Sequence, residues 1–124
     1  MRTIEFRGII KNPDELFSGF IYGDLLHYAN GSIGIRQIET GQEFDVVPET
    51  VGQFTGLYDK NGKEIFEGDG FGNKNMPNRY VVFEDGKYCF NKVHSHGADV
   101  LSQDRVGRLE IIGNIFNNPE LLKN

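Results

Sequence analysis

Three dipeptides of one kind constrain this chain more than anything else in it: Asn30-Gly31, Asn61-Gly62 and Asp85-Gly86, each lying between apolar segments. Such pairs supply the positive φ angles of tight hairpin turns, so the backbone is expected to double back at least three times. Phe20 to Tyr28 leads into the first turn, and Ser32 to Ile38 leads out. There Ile33 and Ile35 alternate with Ser32 and Gly34 as in a half-buried strand. Arg79 to Glu84 faces Lys87 to Asn91 across the third turn, with Tyr88 and Phe90 on one face and Lys87, Cys89 and Asn91 on the other. Ile4, Phe6, Ile9 and Ile10 predict an opening strand. Glu43 to Val47 predicts another, ended by Pro48, which has no N–H to donate. Leu109 to Ile115 predicts a closing strand. Asn12-Pro13-Asp14-Glu15 and Asn118-Pro119-Glu120 each place a capping Asn, a Pro and an acid at the start of a short helix. Nothing periodic survives between Gly68 and Asn78, so Gly70 to Asn78 reads as a loop or linker. His94 to Asp99 is a second irregular stretch. The fold class expected is all-β with short helical caps, a small barrel or sandwich built from hairpins.

Composition supports a packed core. Leu, Ile, Val and Phe make up about 30% of the chain, above the roughly 20% that marks disorder. The 16 glycines among 124 residues follow no triplet period and read as turns. The formal charge of −5 disfavours nucleic acid as a partner, because phosphates favour a basic face, although a local basic patch is compatible with an acidic sum. No apolar run approaches the ~20 residues of a bilayer span, and the charged N-terminal segment does not read as a signal peptide. One cysteine, Cys89, cannot form an internal disulfide, which points to the cytoplasm and away from an oxidising compartment.

The chemistry-bearing residues form few constellations. His94 and His96, two apart, are the candidate metal ligands, with Asp99 or Cys89 conceivable beside them, yet two histidines fall short of the about four ligands of a closed zinc site. Cys89 alternates with Tyr88 and Phe90 and reads as a small packed residue rather than a nucleophile. Counted from Asp59, a calcium loop would need glycine at its sixth position and glutamate at its twelfth; here glycine falls fourth and Gly70 twelfth. Gly56 and Gly62-Lys63 fail as a phosphate loop because Glu64 stands where Ser or Thr is required. Glu64, Glu67, Asp69, Glu84 and Asp85 alternate with lysines near turns, as on a solvated surface. The expectation is a protein without catalytic residues, cofactor or metal, and not an enzyme.

One run carries more information: Thr50-Val51-Gly52-Gln53-Phe54-Thr55-Gly56-Leu57-Tyr58-Asp59-Lys60-Asn61-Gly62-Lys63-Glu64-Ile65-Phe66-Glu67-Gly68-Asp69. It closely resembles the signature of the YopX-like family, small proteins of bacterial phages and prophages. Glu5-Phe6-Arg7-Gly8 resembles that family's opening, and Tyr22 to Leu26 with Asn30-Gly31 its first hairpin. Ile111-Ile112-Gly113-Asn114-Ile115 through Leu122 resembles its closing motif. Gly70 to Gly107 is the least similar part, and Gly70-Phe71-Gly72 departs from the apolar strand that usually follows Glu-Gly-Asp. The resemblance implies one YopX-like domain over 1–124, with an N-terminal β subregion over 1–50 and an SH3-like barrel over 51–124. It implies no assigned activity. The motif residues Gly52, Gln53, Thr55, Gly56, Leu57, Asp59, Asn61, Gly62, Lys63, Glu64, Ile65, Glu67, Gly68, Asp69, Gly113 and Asn114 therefore carry a structural expectation. Gly56 is expected to admit close backbone approach, Asn61-Gly62 to turn the hairpin, and Gly68-Asp69 to start the next element.

The function expected is that of a small phage or prophage accessory protein in the bacterial cytoplasm, a non-enzymatic module that binds a protein partner or itself. Gln53 to Tyr58 is a candidate edge strand for that purpose, with a central strand as the alternative. Nucleic-acid binding ranks second, through Arg79, Lys87, Lys92, Arg105 and Arg108 with Tyr80 and Tyr88. A metal-dependent enzyme using His94 and His96 is a remote third.

Overall fold

The computed structural model describes residues 2–73, 75–91 and 99–122. The chain divides into two units, Met1–Phe54 and Thr55–Asn124. In the first, β1 (Phe6–Ile9), β2 (Phe20–His27), β3 (Ile33–Arg36) and β4 (Glu43–Asp45) pair antiparallel with their neighbours in the order β4-β3-β2-β1. The opening residues of β5 (Gly52–Tyr58) join β1, with Gln53 opposite Phe6 and Gly52 opposite Arg7. The first turn closes as a five-residue loop: Tyr28 N–H donates to Ser32 O at 3.0 Å, and Gly31 N–H to Tyr28 O at 2.9 Å. Alternation along these strands delivers Ile10, Ile21, Ile35 and Val46 to one buried core, with Phe6, Leu25, Ile33, Phe44 and Val51 packed against it. Pro48 ends the β4 segment as expected and opens a 3₁₀ turn, Pro48–Thr50. The Thr50 hydroxyl there accepts from Ile9 N–H at 2.9 Å and donates to Val47 O at 2.6 Å.

The second unit takes the rest of β5 and pairs it with β6 (Glu64–Phe66). A five-stranded antiparallel sheet follows from β7 (Asp69–Asn73), β8 (Met76–Glu84), β9 (Lys87–Phe90), β10 (Asp99–Val100) and β11 (Ile111–Asn114), in the order β10-β9-β8-β7-β11. The Asp85-Gly86 hairpin forms as the sequence predicts: Glu84 faces Lys87, and both turn residues take positive φ, 54° and 77°. Helix α1 (Gln103–Val106) is a single turn capped by Ser102, whose hydroxyl accepts from Arg105 N–H at 3.3 Å. The core of this unit is Ile65, Phe71, Val81, Phe90, Leu101 and Val106, with the Phe71 and Phe90 rings edge to face at 5.5 Å. The closing Asn118-Pro119 start yields a 3₁₀ turn, Pro119–Leu122.

The all-β expectation with short helical caps describes the molecule. The SH3-like barrel does not follow from it, because neither strand order closes on itself among the described residues. Two local expectations are corrected. Residues 12–19 form no helix. Asp14 Oδ1 accepts from Leu16 and Phe17 N–H, each at 2.8 Å, while Asp14 N–H donates to Phe17 O and closes a tight turn. The Phe17 ring lies 5.0 Å from that of Phe44, a tertiary contact that fixes the turn. Nor is Gly70 to Asn78 a plain loop. It holds β7 and the start of β8, and β7 is an interior strand with Phe71 wholly buried. Periodicity could not reveal it, since glycines flank its one large side chain and its register shifts between Phe71 and Asn73.

Candidate functional site

The signature run is built around Asp59, which follows β5. Its Oδ1 accepts from Asn61 N–H at 2.8 Å and Lys63 N–H at 2.9 Å, the geometry of a side chain standing in for a backbone turn. Its Oδ2 accepts from Ile111 N–H at 3.1 Å, so the carboxylate also ties the turn to the start of β11. Lys60 N–H donates to Leu109 O at 2.9 Å, Asn61 Nδ2 donates to Glu110 Oε1 at 3.2 Å, and Lys60 Nζ lies 3.8 Å from Glu110. Burial alone would raise the Asp59 pKa. The amides of Ile111, Lys63 and Asn61, with the Lys63 charge, outweigh it and hold the carboxyl below its ordinary value. Such a group is an anion committed to backbone donors, not a proton carrier.

The other motif residues serve the same framework. Gly52 is buried on β5, and Gln53 pairs in register with Phe6. Thr55 Oγ1 donates to Ile65 O at 2.8 Å and accepts from Leu57 N–H at 3.2 Å. Between them Gly56 takes φ +86°, and a Cβ there would meet nothing within 4 Å. Positive φ therefore explains this glycine, and the expected close approach does not. Leu57 packs against the second core and Ile65 lies within it, while Gly62 takes φ +77° in the turn that Asn61-Gly62 was expected to make. Glu64 opens β6, half-buried, and Glu67 is half-buried beyond it. Gly68 exchanges backbone bonds with two elements: its N–H donates to Val81 O at 2.8 Å, and its carbonyl accepts from Ile115 N–H at 3.0 Å. Asp69 begins β7 as expected and accepts from Phe66 N–H through Oδ2 at 2.8 Å. In the closing motif, Asn114 Oδ1 accepts from Phe116 and Asn117 N–H at 3.0 and 2.9 Å. A Cβ on Gly113 would collide with the Asn118 side chain.

Gln53 to Tyr58 is not an edge: its first residues pair with β1 and its later ones with β6. His94 and His96 lie outside the described residues. Among those described, no three His, Cys, Asp or Glu side chains gather as metal ligands would, and no helix is long and apolar enough to cross a membrane. The cations of the expected basic patch each stand beside a local companion. Arg108 lies 3.3 Å from Asp104, the Arg105 guanidinium stands 5.4 Å from the Phe90 ring centre, and Lys87 faces Glu84 across the hairpin. Arg79 is half-buried opposite Phe71, and Lys92 lies outside the described residues.

What sequence reading missed is a concavity in the first unit. Glu5, Tyr22, Gln37, Ile38, Glu39 and Thr40 line an open groove of about 250 Å³. Glu5 precedes β1, Tyr22 projects from β2 opposite Arg7, and residues 37–40 form the turn after β3, where Gln37 N–H donates to Gln42 O and Gly41 N–H to Gln37 O. Tyr22 remains 42% exposed and Ile38 68%, a large apolar pair left in water by an otherwise packed unit. In the second unit a more open hollow lies among Tyr80, Val82, Phe83, Glu84 and Asn91. Ile38 follows the Ile33/Ile35 alternation in sequence, which is why it read as a further strand position and not as a rim.

The family model described as YopX protein matches residues 12–123. Among solved structures, protein EF1440 from Enterococcus faecalis is similar, with 23% sequence identity and a TM-score of 0.63 over 99% of this chain and 100% of that one. At that identity the likeness is one of fold. No curated protein sequence matches the chain.

Proposed function

The chain belongs to the YopX protein family, and from that premise we propose that it is a non-enzymatic binding module whose protein partner docks at the Tyr22–Ile38 groove. The observation that carries this reading is the groove itself: an aromatic and an aliphatic side chain, each exposed, at the mouth of a cavity with polar walls. Sites of this build, apolar with a few placed polar groups, are how domains hold peptides and small ligands. The motif supports the same reading, because Asp59 and Asp69, its two buried carboxylates, accept backbone amides. The setting we propose is the cytoplasm of a bacterium carrying the phage or prophage that encodes the chain.

The test is recovery of a tagged copy from such a bacterium, with and without nuclease, beside Tyr22→Ala and Ile38→Asp variants. A protein that survives nuclease and is lost with both variants supports the groove. Nucleic acid that is retained, with proteins lost after nuclease, would replace this reading with a nucleic-acid accessory role. Retention of the partner by both variants would move the contact elsewhere.

A further inference from the structure

Resting on that reading of the groove, we infer that its occupant is a basic peptide segment, with a lysine or arginine side chain lying against Tyr22 and an apolar neighbour against Ile38. The described lining offers two carboxylates, Glu5 and Glu39, and neither Lys nor Arg. The cations of the adjoining strands are turned to other groups: the Arg7 guanidinium sits 4.2 Å from the Phe20 ring centre, and Arg36 lies 3.8 Å from Asp24. An exposed tyrosine ring beside carboxylates attracts a cation twice over, through the ring's negative face and through charge. Gln37 and Thr40 add amide and hydroxyl groups able to bond a peptide backbone. Ile38, the most exposed of the lining side chains that are apolar, supplies the contact a purely ionic site would lack. An acidic segment is rejected by the same pair of carboxylates, which gives the groove a sign of charge as well as a shape.

The probe is a blocked pentapeptide, Gly-Leu-Arg-Leu-Gly, titrated into the isotope-labelled full chain and followed by amide chemical shifts, with Gly-Leu-Glu-Leu-Gly as its counterpart. Shifts are expected at Tyr22 and across Gln37 to Thr40 for the arginine peptide alone, with an affinity on the order of 1 mM for so small a contact. Glu39→Gln is expected to weaken binding about threefold and leave the free spectrum otherwise unchanged. Raising salt from about 50 to about 500 mM is expected to weaken it further. Equal response to the glutamate peptide, shifts centred elsewhere, insensitivity to Glu39→Gln, or concentration-dependent shifts without peptide would each overturn the inference. If both peptides leave the groove unperturbed while Tyr22→Ala still abolishes the cellular partner, the cationic occupant is wrong and the groove stands. If that variant keeps the partner, the groove reading itself has failed.

Discussion

The side chain of Asp59 meets three backbone amides with two oxygens, only 5% exposed. Removing it strands donors that water reaches poorly, so Asp59→Ala is expected to cost about 2–4 kcal/mol in urea unfolding. Asp59→Asn should cost less, since its amide oxygen can still serve the turn while its NH2 faces a donor. Acid separates the two roles. The folded carboxyl titrates below its unfolded value of about 3.9, so its contribution is full above that pH and is lost as pH falls through the lowered folded value. Thermal unfolding followed from pH 6 to pH 2.5 should therefore show a smaller acid loss for Asp59→Asn than for the parent. Tyr28 illustrates the opposite sign: donating to Glu43 at 2.9 Å, its hydroxyl is held above the ordinary tyrosine value by that carboxylate. Gly56 makes a sharper distinction between two reasons for a glycine. Because its φ is positive and its surroundings open, Gly56→Asn is expected to be tolerated better than Gly56→Val, by about 1 kcal/mol. Equal costs would point back to a steric cause.

Strands with a side-chain alternation were legible in the sequence, and so were turns with a glycine at a fixed place. The Asp85-Gly86 hairpin, the opening strand and the closing strand follow from those signals alone. Strand β7 did not, because a central strand can be defined by backbone bonds on both sides while contributing a single ring to the core. That ring is Phe71, and Phe71→Ala is expected to cost about 3–5 kcal/mol in denaturant, as much as any substitution in the second unit. The helix expected after Asn12 failed for the reverse reason. Its capping residues are real, but Asp14 uses them to close a turn, and the ring of Phe17 finds Phe44. The candidate groove was the least legible feature. Its walls come from residues 5, 22 and 37–40, which only strand pairing brings together.

Across the molecule, a formal charge of −5 meets cations that stand beside local companions. Retention on nucleic acid is accordingly expected to vanish at physiological salt, where counterion release no longer favours a few scattered contacts. The lone cysteine offers a readout at the same scale. Cys89 is fully buried, so a thiol reagent is expected to label it only when the second unit opens. Under conditions where opening equilibrates before labelling, Phe71→Ala should speed that reaction by roughly 100-fold or more. Labelling at the parent's rate would show that Cys89 is reached without disturbing the core.

The bond from Asp59 to Ile111 joins residues 52 apart in the chain. On a ribosome, where synthesis proceeds from the N-terminus, the first unit has all its strands once Phe54 has emerged. The second has its turn at residues 59–63 long before the amide that completes it exists. Until residues 109–115 are made, β7 presents an unpaired edge and Gly68 an unmet carbonyl. A nascent chain stalled in that interval would be half finished in a particular sense: one unit ready to bind, the other still a target for chaperones and proteases.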